Sequence, residues 1–230
     1  SNAGWSLDLS QAVLDRALFH SDNCYKWPAQ RVVGRLCKTN QPSHTAFRGF
    51  GGPQGMMMTE YVMQHLSAAS GVDIDEMRVK NWYADGMRTH FGQQLEGFHV
   101  PRIFESMQDS ADIASRKASI AAFNAANKYK KRGLCQLPTK FGINFTAKFL
   151  NQGGALVHVY NDGTVLISHG GTEMGQGLYT KMVQVAAQCF GISHSLITCL
   201  ETATTSVANA SPTAASASTD LYGMAVLNAC

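Results

Sequence analysis

Three stretches of this 230-residue chain combine side chains that can grip a ligand with a backbone bare enough to let one approach. The first is TAFRGFGGPQG at 45–55, where Arg48 stands between Phe47 and Phe50 among glycines. An arginine placed there can aim its guanidinium at an oxygen-rich group, and the rings can hold a planar substrate face to face. A tight structural turn is the competing reading. Phe141 and Phe145, in TKFGINFT, could supply a second aromatic wall, although core packing suits each ring taken alone. The second stretch is GGTEMGQG at 170–177, between an expected strand and an expected helix. Its glycines let backbone N–H groups point at a ligand, and the helix start favours negative charge. It matches neither the Walker loop nor GxGxxG, so an anion- or cofactor-binding loop and a plain turn both stay open. The third is SPTAASAST at 211–219, where Ser216, Ser218 and Thr219 put hydroxyls at an expected helix N-terminus. That arrangement suits a phosphate, or else simply a capped helix with small residues for tight packing.

Other chemistries are missing. There is no HExxH, no GxSxG and no carboxylate pair. Glu173, inside the second glycine loop, and Glu201, at a strand end, could each act as a base, and neither stands out. Binding loops without a clear base imply that part of the machinery lies outside these residues. The six cysteines show no CxxC pair or Cys/His ligand spacing, which argues against a zinc or iron–sulfur site here and for reduced, mostly buried thiols. A formal net charge of +3 gives no nucleic-acid face, and the KYKKR run at 128–132 reads as cations at the end of a helix. No stretch reaches the roughly 18 apolar residues of a membrane span, and no secretory signal opens the chain. Ser1-Asn2-Ala3 resembles the remnant of a cleaved tag and is set aside from the fold. TDLYGMAVLNAC reads as a helix without a stop, as in a piece cut from something longer.

The elements that would position these loops can be read in order. A helix is expected over 8–20, capped near Asp8 or Ser10, with Arg16 among Ala12, Val13, Leu14, Leu18 and Phe19. A strand is expected within 25–40, around RVVGRLCKT. A helix follows from Pro53 to a stop at Gly71, its methionines and aliphatics facing the core, and a short helix from Asp73 to about Trp82. A long helix is expected over 109–131. GALVHVYNDGTVLISH reads as a hairpin closed by Asn161-Asp162-Gly163, followed by an amphipathic helix to Gly191, a strand in SHSLITCLET and a last helix. A boundary near 110 divides the chain into two mixed α+β halves, 4–110 and 111–230.

The motifs RALFHSDNCYKWP, GRLCKTNQPSHTAFRGFGGPQGM, KKRGLCQLPTKFGINFT, FLNQGGALVHVYNDGTVLISHGGTEMGQGL and SPTAASASTDLYG resemble, in order and spacing, the molybdenum-binding region of the eukaryotic xanthine dehydrogenase/oxidase family of molybdenum hydroxylases. The similarity runs from about Leu7 to Cys230; the sister family, aldehyde oxidase, shares many of the motifs. The resemblance implies an α+β molybdopterin domain, truncated at both ends, in a homodimeric cytoplasmic or peroxisomal enzyme. That enzyme hydroxylates hypoxanthine to xanthine and xanthine to urate with water, passing electrons through [2Fe-2S] centres and FAD to NAD or oxygen. By the same resemblance Arg16 holds the purine and stabilises charge building on it, Phe50 and Phe145 sandwich it, and Thr146 lies beside it. Arg48, Ala214 and Ala215 border the molybdenum without ligating it. Gly175, Gln176, Ser216, Ser218 and Thr219 hold the pterin and its phosphate. Arg16 favours a purine over an aldehyde. The family's catalytic glutamate would fall beyond Cys230, and a second glutamate and a glutamine near the metal before Ser1, so the piece alone is expected to be inactive. A silent cofactor-binding or interaction module is the third reading.

Overall fold

The computed structural model describes residues 1–5 and 8–230; Leu7, where the resemblance begins, lies outside them. The chain forms two compact units, Ser1–Phe141 and Gly142–Cys230.

The first unit is built from helices. β1 (Asn2–Gly4), in the stretch set aside as a tag remnant, pairs in parallel with the two-residue β2 (Cys37–Lys38). Ala3 is buried. Between them α1 (Ser10–Phe19) starts without a side-chain cap: Asp8 Oδ1 accepts from Leu9 N, and Ser10 Oγ donates to His44 O. α2 (Gly52–Ser70) has Pro53 in its first turn and ends on left-handed Gly71, as its sequence dictates. α3 (Ile74–Asn81) is capped by Asp73, whose carboxylate accepts from Asp75 N and Glu76 N. α4 (Val100–Ser110) and α5 (Ile113–Ala126) complete the unit.

Four expectations are corrected here. The strand in 25–40 shrinks to Cys37–Lys38, leaving Val33 63% exposed, because among the described residues the rest of that stretch has no strand partner beyond the single bridge Tyr25–Trp82. The single helix over 109–131 is two: Asp112 takes φ +47, which breaks the ladder, and α5 stops at Ala126, so KYKKR lies past a helix rather than in one. The methionines of α2 divide, with Met56 and Met63 buried but Met57 and Met58 on the open face. Of the six free cysteines only Cys24 is buried. The boundary expected near 110 also differs from the packing, for residues 111–141 fold onto the first unit. Lys117 Nζ reaches Asp75 at 2.6 Å, Gln136 Nε2 donates to Phe104 O, and Asn23 Nδ2 donates to Pro138 O.

Buried polar groups hold this unit together. Glu60 takes both Nε and Nη2 of Arg78 (3.1 and 2.9 Å) and also accepts from Tyr25 Oη and Asn23 Nδ2. With its charge paired and its lone pairs used, Glu60 can sit at 4% exposure.

The second unit has an apolar core. β3 (Ala155–Val159) and β4 (Val165–His169) form the expected antiparallel hairpin. Its turn uses positive φ only at Gly163, with Gly163 N donating to Tyr160 O and Tyr160 N to Thr164 O. α6 (Leu178–Phe190) returns the chain so that β5 (Ile197–Cys199) runs parallel to β4, and α7 (Ser218–Ala229) packs beside α6. Ile167, Leu178, Met182, Ala186, Tyr222 and Val226 make the core between helices and sheet.

Candidate functional site

In the first unit the question is why the chain is bare at 49–55. The turn carries positive φ at Gly49, Phe50 and Gly51, with Phe50 N donating to Phe47 O and Gly52 N to Gly49 O. A Cβ on Gly51 would overlap Val13 O, one on Gly55 would overlap Ala17 O, and one on Gly52 would strike the Phe141 ring. The missing side chains thus let the start of α2 lie directly on α1. Phe50, half-buried, directly precedes this contact. Phe47 and Arg48 are exposed.

Arg16 is 5% exposed, and burial lowers its pKa from the usual arginine value, leaving a poorly hydrated cation. Its guanidinium lies 5.5 Å from the centre of the Phe141 ring, and His20, one turn on, meets the same ring at 4.8 Å. Phe141 is delivered there by its neighbour: Lys140 Nζ is 3.3 Å from Asp22, a fully buried carboxylate that also accepts from Tyr83 Oη at 2.9 Å. The sequence offered Phe141 as a substrate wall. In the structure it touches Arg16, His20 and Gly52.

In the second unit three loops are tied together. Asn144 N donates to Ala215 O at 2.9 Å, joining the Phe145–Thr146 segment to the SPTAASAST run. Thr172 N donates to Thr213 Oγ1 at 2.8 Å, joining that run to the 170–177 loop. Phe145 is fixed by Asn151, which accepts from Phe145 N and donates to Phe145 O, both at 2.9 Å. Thr146, Ala214, Ser216 and Thr219 are exposed and Ala215 and Ser218 half-exposed. Asn144, Ala215 and Ser216 adopt left-handed φ of +73, +59 and +55 without being glycine. Such strain persists only where surrounding structure imposes it, and it concentrates at binding sites.

The two helix starts in this site differ. At α7 no side chain caps the helix, so Ser216, Ser218 and Thr219 are not spent as its caps; Lys181 Nζ stands 3.5 Å from Thr219 Oγ1. At α6 the amides are already engaged. Glu173 Oε1 accepts from Gly175 N (2.8 Å) and Gly177 N (3.0 Å), and Oε2 from Tyr179 N (3.0 Å). Those bonds, Tyr179 N foremost, hold its pKa below the ordinary carboxylate value, which makes it a poor base. The Gln176 amide is likewise turned inward, accepting from Met174 N and donating to Thr172 O. Glu173's role could have been read from GGTEMGQG only as an acid two residues before a run of donors.

The residues fit a hydrogen-bonding anionic cofactor. Ser211 Oγ is buried without a protein partner at the head of the SPTAASAST run, and Gly175 and Gly177 open onto space that a Cβ would enter unhindered. At the end of β4, His169 accepts from Gly171 N through Nδ1, which leaves the proton on Nε2, and burial lowers its pKa.

Comparison with known proteins identifies the family of the chain. One family model, described as a molybdopterin cofactor-binding domain, matches residues 1–82, and a second of the same description matches 106–230. Residues 111–141 therefore fall in the second match while packing with the first unit. A xanthine dehydrogenase/oxidase of Mus musculus is 57% identical over all 230 residues, and a xanthine dehydrogenase 1 of Arabidopsis thaliana 53%. The chain spans 17% of the length of each. An aldehyde oxidoreductase from Desulfovibrio desulfuricans superposes on the whole chain with a TM-score of 0.74 at 20% identity, covering 25% of that protein.

Proposed function

We propose, from the premise that this chain belongs to the molybdopterin cofactor-binding domain family, that it forms the cofactor- and purine-binding part of a xanthine dehydrogenase/oxidase. One observation supports this most: three loops of the second unit are hydrogen-bonded into a single strained surface beside an uncapped helix start. When bound there, the molybdenum-pterin group supplies the two-electron oxidation of a purine carbon with water as the oxygen source. FAD and [2Fe-2S] centres belong to other regions of the full-length protein.

The chain's own residues bind and polarise. Ser216, Ser218 and Thr219 offer hydroxyls, and Lys181 a positive charge, to the phosphate end of the pterin. Gly175, Gln176, Ala214 and Ala215 present a low surface against which its flat part can lie. Arg48, exposed within a tight turn, would offer its guanidinium to the metal end of the group. Phe50 and Phe145 keep the part the resemblance gives them, an aromatic face for a flat heterocycle. Arg16 supplies the charge stabilisation. Its dehydration makes a charge developing on the substrate interact with it far more strongly than in water. An aldehyde, even an aromatic one, has no ring nitrogen or ring oxo group to carry that charge toward a cation, so the preference for hypoxanthine and xanthine rests on Arg16.

The test uses the full-length enzyme: kcat/KM for xanthine and for an aromatic aldehyde, wild type beside Arg16→Ala. Loss of xanthine turnover by about 10²–10³-fold with aldehyde turnover spared is the expected result, the size of a lost transition-state donor. Aldehyde preference indifferent to the substitution places the protein in the sister family. Silence on both substrates with molybdenum present supports a binding module instead. The 230 residues alone are expected to give no urate.

A further inference from the structure

The 170–177 loop holds more internal bonding than a ligand-seeking loop needs. Three consecutive-region amides at the start of α6 converge, as they do around bound phosphates, yet their anion is the chain's own Glu173. All three bonds are 2.8–3.0 Å, and both carboxylate oxygens take part. The loop is then closed a second time by Gln176, which bridges Met174 N and Thr172 O, and a third time by Thr202, whose hydroxyl donates to Gly171 O while its amide donates to Tyr179 Oη. Tyr179 is thereby held from both ends, its amide by Glu173 and its hydroxyl by Thr202.

We propose that Glu173 is the built-in anion of this loop: it fills the amide nest of α6, which therefore does not take the pterin's phosphate, and it sets the shape on which the neutral part of the ligand docks. The inference rests on the reading above that the chain binds a molybdenum-pterin group. Its physical basis is competition. An incoming phosphate would have to displace a tethered carboxylate that makes three charge-assisted bonds and loses no translational freedom in making them. Removing the carboxylate has two effects at once. It frees three donors near a positive helix end, and it releases the amides of Gly175 and Gly177, two left-handed residues that Glu173 Oε1 ties together. Glu173 is accordingly a positioning residue and not a base.

The experiment follows pterin release, by fluorescence after oxidation, from the full-length protein and from Glu173→Gln and Glu173→Ala. Glu173→Gln keeps the shape but turns an NH2 toward N–H donors; Glu173→Ala empties the nest. Both should release pterin roughly tenfold faster than wild type, the equivalent of one charge-assisted hydrogen bond. Excess acetate should slow release from Glu173→Ala by refilling the nest, while chloride at equal ionic strength should not, and neither should rescue Glu173→Gln. A general loss of stability would not respond to acetate. Release at the wild-type rate in both variants overturns the proposal, and so does faster release that acetate leaves untouched. A wild-type protein that carries no pterin would instead overturn the functional reading itself.

Discussion

The two glycine-rich motifs of this chain look alike in sequence and serve opposite ends. At 49–55 the glycines are bare because protein fills the space: α1 backbone oxygens and the Phe141 ring occupy the volume that side chains would need. At 175–177 they are bare toward open space, with left-handed φ and no protein atom where a side chain would begin. The first motif is a packing joint that happens to present Phe50 and Arg48 at its rim. The second is an accessible surface whose amides are satisfied from within. A glycine cluster thus marks close approach, and only the structure tells whether the approaching group is the protein or a ligand.

The largest expected effect comes from breaking the packing joint. Gly51→Ala adds a Cβ against Val13 O at a backbone φ of +95, so both overlap and strain act together. A loss on the order of 4 kcal/mol is expected, at the top of the range for single substitutions. All three tryptophans of these 230 residues, Trp5, Trp27 and Trp82, lie in the first unit, so a urea melt of this chain followed by indole emission reads that unit. An unchanged midpoint would refute the packing account. Glu60→Ala, which strands Arg78 in the same unit, should cost somewhat less, about 3 kcal/mol, by the same readout.

Gly175→Ala sharpens the contrast. No atom meets the new Cβ, so only the left-handed backbone resists it, at about 1–2 kcal/mol. Indole emission should not move, whereas pterin content of the full-length protein should fall. The reverse pattern, intact pterin with a weakened first unit, would erase the distinction between the two motifs.

Much of the fold was written locally. Asp73, Gly71, Gly163 and Gly191 set their own caps and turns through one residue's geometry, and the elements around them came out as read. What failed depended on distant partners. RVVGRLCKT has strand-forming residues but almost no neighbouring strand, and the run at 109–131 hides a break at Asp112 that helix propensity does not signal. In the candidate site, the loops were visible as small and glycine-rich segments. The strain at Ala215 and Ser216 was not, since alanine and serine do not advertise left-handed φ. Nor was the placing of Phe141 on Arg16, which needs Lys140 to reach a buried Asp22 more than a hundred residues away in sequence. Glu173 stands out no more than Glu201 in the sequence, because the convergence of three amides on its carboxylate belongs to the folded loop.

The smallest expected effect concerns acid. Burial holds His169 in the second unit and His20 in the first below the ordinary histidine value of 6.5. In both cases the unfolded chain takes up a proton at a pH where the folded chain does not, so stability is full above about 6.5 and falls as the pH drops toward the folded value. The two units should therefore lose stability together between neutral and mildly acidic pH, each through its own histidine. His169→Gln keeps an acceptor for Gly171 N and removes the titration. It should flatten the pH dependence of the second unit, followed by amide hydrogen exchange in α6 and β4, and leave the indole-detected dependence of the first unit as it was. A second unit that stays acid-sensitive without His169 would shift the cause to Glu173, whose depressed pKa predicts a loss only at lower pH, below its ordinary 4.5. The pH at which exchange accelerates in the variant separates these two origins.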